Sequence, residues 1–249
     1  MPRKTASSPP HTRATPEGER IYAIGDIHGR VDLLRALLAQ IGLHRQAHPG
    51  WKDELLFLGD YVDRGLNSKE VLDLLSDGLP NDSAHTFLRG NHDDAMLRFL
   101  RGQLDIASGW LHFGGRATLA SYGLQAFGQS PNDDWERVHA ALRAAVPERH
   151  IAFLRSTLAS CTRGDYYFVH AGVRPGIPLS RQDNNDKLWI RNDFLTSSYD
   201  FGKTIVHGHT VEPKPVVRPN RIGIDTGAFA TGHLTCLILY GTHRKLLQT

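Results

Sequence analysis

A chain of 249 residues with 40% hydrophobic content is long enough to bury one sizeable core, and its net charge of +3 comes without a dense Lys/Arg block. A protein that grips nucleic acid by neutralising phosphates concentrates basic residues on one face, so this charge distribution argues against that class. Cys161 and Cys236 stand far apart with no Cys-x-x-Cys pairing and read as reduced thiols, while no apolar run approaches the ~20 residues that span a bilayer.

Residues 1–19 (MPRKTASSPPHTRATPEGE) are rich in Pro, Ser and Thr and lack periodic apolar positions. They are expected to form a disordered tail, because such a segment buries too little surface to offset its ordering entropy. The tail has no hydrophobic stretch of the kind that makes a secretory signal, and with the reduced cysteines this favours a cytoplasmic protein; a monomer is expected because no oligomerisation signal stands out. The folded domain is expected over 20–249.

From there one pattern recurs. Ile21–Ile24 runs into GDIHGR, Leu55–Leu58 into GDYVDRG, and Thr86–Leu88 into RGNHDD. Tyr166–Val169 runs into HAGV, and Lys203–Val206 into HGHT. Five short apolar runs, each followed at once by His, Asp or Asn, predict five strands whose carboxyl ends converge, which is where sites form in α/β sheets. Between them, Val31, Leu33, Leu34, Leu37, Leu38 and Ile41 follow helical spacing, so 31–41 predicts a helix with one face on a sheet. Asn67 followed by Glu70 predicts a helix N-cap ahead of Val71, Leu72, Leu74 and Leu75. Met96, Leu97, Phe99 and Leu100 continue the helical pattern. Residues 101–160 read mainly as inserted helices and loops, and 221–240 as a late pair of strands, RIGI and LTCLILY, joined through DTGAFATGH.

The strand-end residues carry the chemistry. Asp26 and His28 are two apart on an extended segment and can point the same way. Asp60, Asn91, His170 and His209 each end another run. Carboxylate, imidazole and amide oxygen suit Mn²⁺, Fe or Zn²⁺, and the lack of thiolate ligands disfavours a structural zinc site. Six ligands are too many for one open catalytic ion but suit two ions that share a carboxylate. Taken singly, Gly-Asp-x-His is also an ordinary turn and a lone histidine an ordinary core residue. The order of five such clusters is what argues for a metal centre.

GDIHGR at 25–30, GDYVDRG at 59–65, GNHD at 90–93, HAG at 170–172 and GHT at 208–210 together resemble the signature of the phosphoprotein phosphatase family, a branch of the calcineurin-like metallophosphoesterases. LHFGGRATLASYG at 111–123 and LWIRNDF at 188–194 are similar to its small bacterial and bacteriophage serine/threonine phosphatases. The resemblance implies an α/β fold with a central β-sandwich of mixed sheets flanked by helices and a bimetal site at the strand carboxyl ends. It implies a first metal on Asp26, His28 and Asp60, and a second on Asp60, Asn91, His170 and His209, with manganese the leading candidate. A hydroxide between the metals would attack phosphorus directly. His92 would protonate the leaving oxygen, Asp63 would orient His92, and Arg64 and Arg191 would clamp phosphate. His112, His207 and His233 match no ligand position as strongly; His207, just before the Gly208-His209 turn, reads as structural, and Asp225 in IDTGA reads as a turn residue or a group supporting the ligands from behind.

The resulting expectation is a protein phosphatase acting on phosphoserine or phosphothreonine, with phosphotyrosine also open. GNHD and HAG also resemble the diadenosine tetraphosphate hydrolases, and Asp93 stands where protein phosphatases usually carry Glu, so dinucleotide hydrolysis is the alternative. A metal-holding scaffold without turnover is a third reading. The retention of His92, Asp63 and Arg64 disfavours it, because a purely structural metal needs neither an acid nor a phosphate clamp.

Overall fold

The computed structural model describes residues 13–80, 82–127 and 134–249. In chain order the strands are β1 (Glu19–Ile24), β2 (Lys52–Phe57), β3 (Ala84–Phe87), β4 (Ser160–Arg163), β5 (Tyr166–Val169), β6 (Thr204–His207), β7 (Val216–Val217), β8 (Arg221–Gly223), β9 (Thr235–Tyr240) and β10 (His243–Gln248). They form two five-stranded sheets, ordered β10-β9-β1-β2-β3 and β4-β5-β6-β8-β7. Each sheet is mixed. β1, β2 and β3 run parallel while β9 and β10 pair antiparallel, and β5, β6 and β8 run parallel between antiparallel edges β4 and β7.

Strand alternation explains how the sheets stack. Ile21 and Ala23, Leu56 and Leu58, Tyr166 and Phe168, Val206, Ile222, Leu237 and Leu239 form one buried cluster between the sheets. The intervening residues, Tyr22, Ile24, Leu55 and Phe57, face the helices on the far side of the first sheet. Tyr167, Val169 and Ile205 face outward from the second sheet against Ile190 and Phe194. Period-two alternation with both faces apolar is the mark of strands covered on both sides.

The outer layer of the first sheet is helical. In α1 (Val31–Ala47), Val31, Leu34, Leu37 and Ile41 are the buried residues, the stripe expected from a 3.6-residue repeat. α2 (Ser68–Asp77) buries Val71, Leu72 and Leu75. Asn67 stands at its N-cap position but makes no side-chain cap bond. Its amide is instead tied to the Gly29 carbonyl at 3.1 Å, since the preceding loop is packed on the β1 turn. α3 (Asn91–Leu100) is followed by the inserted helices α4 (Ala107–Trp110), α5 (Arg116–Ser121), α6 (Trp135–Ala145) and α7 (Glu148–Ser156), as the region 101–160 predicts. Short helices α8 (Asn184–Trp189), α9 (Asn192–Leu195) and α10 (Ala228–Thr231) flank the second sheet and the site.

Two expectations are corrected. The segments RIGI and LTCLILY are strands β8 and β9, but they do not pair with each other. β8 joins β6 in the second sheet and β9 joins β1 in the first, because the intervening DTGAFATGH crosses between sheets. The tail reading of 1–19 is also too long. Residues 1–12 lie outside the described residues, whereas 13–18 are held by both sheets. Thr15 N–H donates to the Gly241 carbonyl at 3.0 Å, and Ala14 N–H to the Asp165 carboxylate at 3.0 Å. No helix among the described residues is long and apolar enough to cross a membrane.

Candidate metal centre and catalytic site

The loops after β1, β2, β3, β5 and β6 meet at one edge of the sandwich. Ile27 and His28 amides both donate to the Asp60 carbonyl, at 3.1 and 2.8 Å, which locks the first two loops together. Asp93, at the third position of α3, accepts backbone N–H bonds from Asp60 (2.7 Å), Tyr61 (2.9 Å) and Gly90 (2.9 Å). The residue that departs from the usual Glu is therefore the peg on which the Asp60 loop hangs. A Cβ on Gly90 would collide with the Asp60 carboxylate and amide, so only glycine lets α3 approach this closely. Among the described residues the non-glycine positions with left-handed backbone are His28, Asp60, Asp63, Arg64 and His209. Each costs on the order of 1 kcal/mol, and all five are site residues, so backbone strain is concentrated at the metal centre.

The donor atoms form two seats. Asn91 Oδ1 lies 2.9 Å from both His170 Nε2 and His209 Nδ1. Asp60 Oδ2 lies 3.4 Å from His28 Nε2 and 3.5 Å from His170 Nε2, which places it between the two seats. Ligands on one ion with bonds of ~2.1 Å sit about 3 Å apart, so these spacings fit metal coordination. Each seat also has a fixed tautomer: His28 Nδ1 is bonded to the Val62 carbonyl and His170 Nδ1 to the Leu58 carbonyl, both at 2.9 Å, leaving Nε2 to face the centre. His28 Nε2, His209 Nε2 and Asp26 Oδ1 are buried without hydrogen-bond partners. Buried polar atoms are rarely left unsatisfied, and a bound cation is what this donor set calls for.

The electrostatics agree. Burial pushes the His28 imidazole down to about 3 and also lowers His170 and His209, so all three are neutral donors, as metal binding requires. Burial opposes the charge on Asp60, but His170, His92, His28 and His209 around it outweigh that and hold it below the usual carboxylate range. Asp60 is common to both clusters of potential ligands, one with His28 and His92 and the other with His170 and His209. Asp26 is buried beside them. Its Oδ2 accepts the His209 amide at 3.0 Å, and it lies outside both tight clusters.

His92 is set for proton transfer. Its Nδ1 donates to Asp63 Oδ2 at 2.7 Å, while Nε2 lies 3.1 Å from an Arg64 guanidinium nitrogen. Burial works against protonation of His92, but Asp60 and Asp63 outweigh it and raise its pKa. Arg64 stacks over Phe229 at 4.7 Å from the ring centre, which supports the guanidinium from behind. Arg191 is exposed and reaches Thr210 Oγ1 at 3.5 Å, at the rim beside His209. Sequence reasoning missed the residues that hold Asp63. Trp110 Nε1 donates to its Oδ2 at 2.9 Å and Thr118 Oγ1 to its Oδ1 at 2.6 Å. Both come from the 101–160 insertion; Thr118 lies within LHFGGRATLASYG and Trp110 just before it, but nothing in that segment marks either as a partner of Asp63. His207 is structural as the sequence suggests, with Nδ1 on the Gly208 carbonyl at 3.1 Å. His112 packs edge-on against Phe113 and His233 Nδ1 is bonded to the Thr249 carbonyl, so neither joins the ligand clusters.

A cleft of ≈ 260 Å³ opens beside Asn91 and His92, walled by Ile106, Trp110, Phe113 and Trp189. Phe113 is 60% and Trp189 45% exposed, so aromatic faces are free at its mouth.

Residues 19–230 match the family described as calcineurin-like phosphoesterase. Among curated relatives, the asymmetrical bis(5'-nucleosyl)-tetraphosphatase PrpE of Halalkalibacterium halodurans is 27% identical over 232 residues, covering 86% of this chain and 87% of that protein. PrpE of Geobacillus thermodenitrificans is 27% identical over 237 residues, covering 87% and 89%. A solved structure provisionally identified as a diadenosine tetraphosphatase superposes with a TM-score of 0.64 at 19% identity, covering 94% of this chain and 95% of that one. The cold-active protein-tyrosine phosphatase of a psychrophilic Shewanella superposes at 0.57 and 16% identity, covering 100% and 87%. At these identities the structural likenesses concern the fold alone.

Proposed function

Because the chain belongs to the calcineurin-like phosphoesterase family, and is therefore a metal-dependent phosphoesterase, we propose that it hydrolyses dinucleoside tetraphosphates asymmetrically, to a nucleoside triphosphate and a monophosphate. The observation that carries this reading is the near-full-length similarity to curated asymmetrical tetraphosphatases, reached from two organisms over the same span. The aromatic-walled cleft beside His92 supports it, since exposed Phe113 and Trp189 offer the flat apolar faces on which a base stacks.

The site residues divide the work. Asp26, His28 and Asp60 would hold one divalent ion and Asp60, Asn91, His170 and His209 the other, with Mn²⁺ our choice for a nitrogen and oxygen donor set. Two ions there supply Lewis-acid charge stabilisation and acidify water at neutral pH. Arg64, beside His92, and Arg191, at the rim beside Thr210, grip phosphate oxygens through planar guanidinium groups. In the free protein Arg64 donates to His92 Nε2, a geometry that belongs to the neutral ring. A phosphate that draws Arg64 away leaves Nε2 free to carry the proton for the leaving oxygen, with Asp63 stabilising the charged ring.

A second reading, a protein phosphatase, is favoured by the intact Asp63–His92 pair, because alkoxide leaving groups need protonation far more than phosphate leaving groups do. The deciding experiment reconstitutes metal-free protein with Mn²⁺ and follows diadenosine tetraphosphate, a phosphothreonine peptide and a phosphotyrosine peptide, each with and without chelator. Chelator-sensitive formation of ATP and AMP at a kcat/KM at least tenfold above either peptide is expected. Peptide turnover without dinucleotide turnover would replace this reading with the second.

A further inference from the structure

Asp225 follows β8 and is buried at 3% exposure. One carboxylate oxygen, Oδ1, accepts the Gly227 amide at 2.9 Å and closes a turn. The other, Oδ2, is buried without a hydrogen-bond partner. Asp26, 2% exposed, has the same imbalance: Oδ2 takes the His209 amide and Oδ1 is left over. The two carboxylates lie within hydrogen-bonding reach of each other, and the Asp60 charge acts on both. The cation whose charge reaches both is Arg64, already bonded to His92 and stacked on Phe229. Two adjacent carboxylates with unsatisfied oxygens, taken out of water, need a counter-charge in the space they face.

We propose that Asp225 is a ligand group of the first metal seat, placing its Oδ2 on the ion or on one of its waters beside Asp26, His28 and Asp60. The two seats are then unlike. The first carries three carboxylates and one imidazole, whereas the second has neutral Asn91, His170 and His209 and shares only Asp60. Oxygen-rich, anionic sites favour harder ions and imidazole-rich sites softer ones, so the first seat holds Mn²⁺ more firmly than Zn²⁺ relative to the second. The assignment concerns metal binding alone and holds whichever phosphate ester is the substrate.

Asp225→Asn keeps an oxygen for the Gly227 amide and removes the charge, which separates the turn from the ligand. Manganese titration of metal-free protein, with bound ions counted by electron paramagnetic resonance, is expected to show two ions on the wild type. In Asp225→Asn one site should weaken at least tenfold, and in His209→Ala the other. Two ions bound to Asp225→Asn as tightly as to the wild type would overturn the proposal. Should the variant fold poorly, a crystal structure of the Mn²⁺-loaded wild type decides. Asp225 Oδ2 on the ion or its water supports the assignment, and a carboxylate bonded only to protein groups rejects it.

Discussion

His92 and its supports show how much of this site is decided one side chain at a time. The imidazole is fixed by a 2.7 Å bond to Asp63, and Asp63 is fixed in turn by Trp110 and Thr118. His92→Asn removes the proton donor but no metal seat, so both ions should stay bound. Turnover of an alkyl phosphoester is expected to fall by about 10²-fold or more, with a smaller loss on diadenosine tetraphosphate, whose leaving group is a phosphate. Equal losses on the two substrates in steady-state assays would remove His92 from the role of acid. Trp110→Phe deletes one N–H bond to the buried carboxylate and preserves the ring. We expect kcat to drop about tenfold at unchanged metal content, the usual scale for a partner that orients a catalytic group; a variant with wild-type kcat would show that Thr118 alone holds Asp63. GNHD and GDYVDRG exposed His92 and Asp63 to reading from sequence. Trp110 was invisible, and Thr118 lay inside the quoted LHFGGRATLASYG without any sign that it would reach Asp63, because that contact forms only when the insertion packs on the β2 loop.

At the scale of elements, the site depends on α3 coming down onto the β2 loop. Asp93 takes three backbone amides from that crossing, and Gly90 leaves room for the Asp60 carboxylate. Gly90→Ala should force the two apart, costing ~1–3 kcal/mol of stability, typical of overpacking. It should also weaken both metal sites together, since the proposed bridging ligand Asp60 would serve both. Metal analysis showing only one site affected would mean that Asp60 does not bridge. The strands and helices that carry these loops were legible from periodicity, because alternation and the 3.6-residue repeat are local. Strand partners were not. β8 and β9 read as a pair but lie in different sheets, and nothing within either segment distinguishes the two outcomes.

For the whole molecule, Thr15 joins the sheets at the end where β1 begins, opposite the strand carboxyl ends that carry the motifs. Its hydroxyl donates to the Glu19 carbonyl and accepts the Gly241 amide, while neighbouring Ala14 binds the β4–β5 turn at Asp165. Thr15→Ala leaves a largely buried amide unpaired and should cost ~1–2 kcal/mol. A melting temperature lower by a few degrees is the expected result, with kcat/KM unchanged. Metal contributes on the same scale. Ions present at about 100 times their Kd add ~2.7 kcal/mol per site to the folded state, so a chelator should lower the melting temperature by several degrees. An unchanged melting curve would mean that the seats are empty under those conditions.

The sequence by itself marked the strand-end clusters and the six metal-binding candidates, each in a short motif on one loop, because their chemistry is a property of residue type. The pairing of His92 with Asp63, which lie on different loops, came only from the resemblance of GNHD and GDYVDRG to a known family. Only the tertiary structure decided that Asp60 stands between two seats, that Asp93 pins its loop, and that Asp225 comes to lie against Asp26. These contacts join positions up to 199 residues apart, brought together when the two sheets close on their shared apolar faces. Burial then creates what no motif states, neutral histidines and unpaired carboxylate oxygens, both consequences of removing water from polar groups, and the crossing loops add left-handed backbone at five site residues.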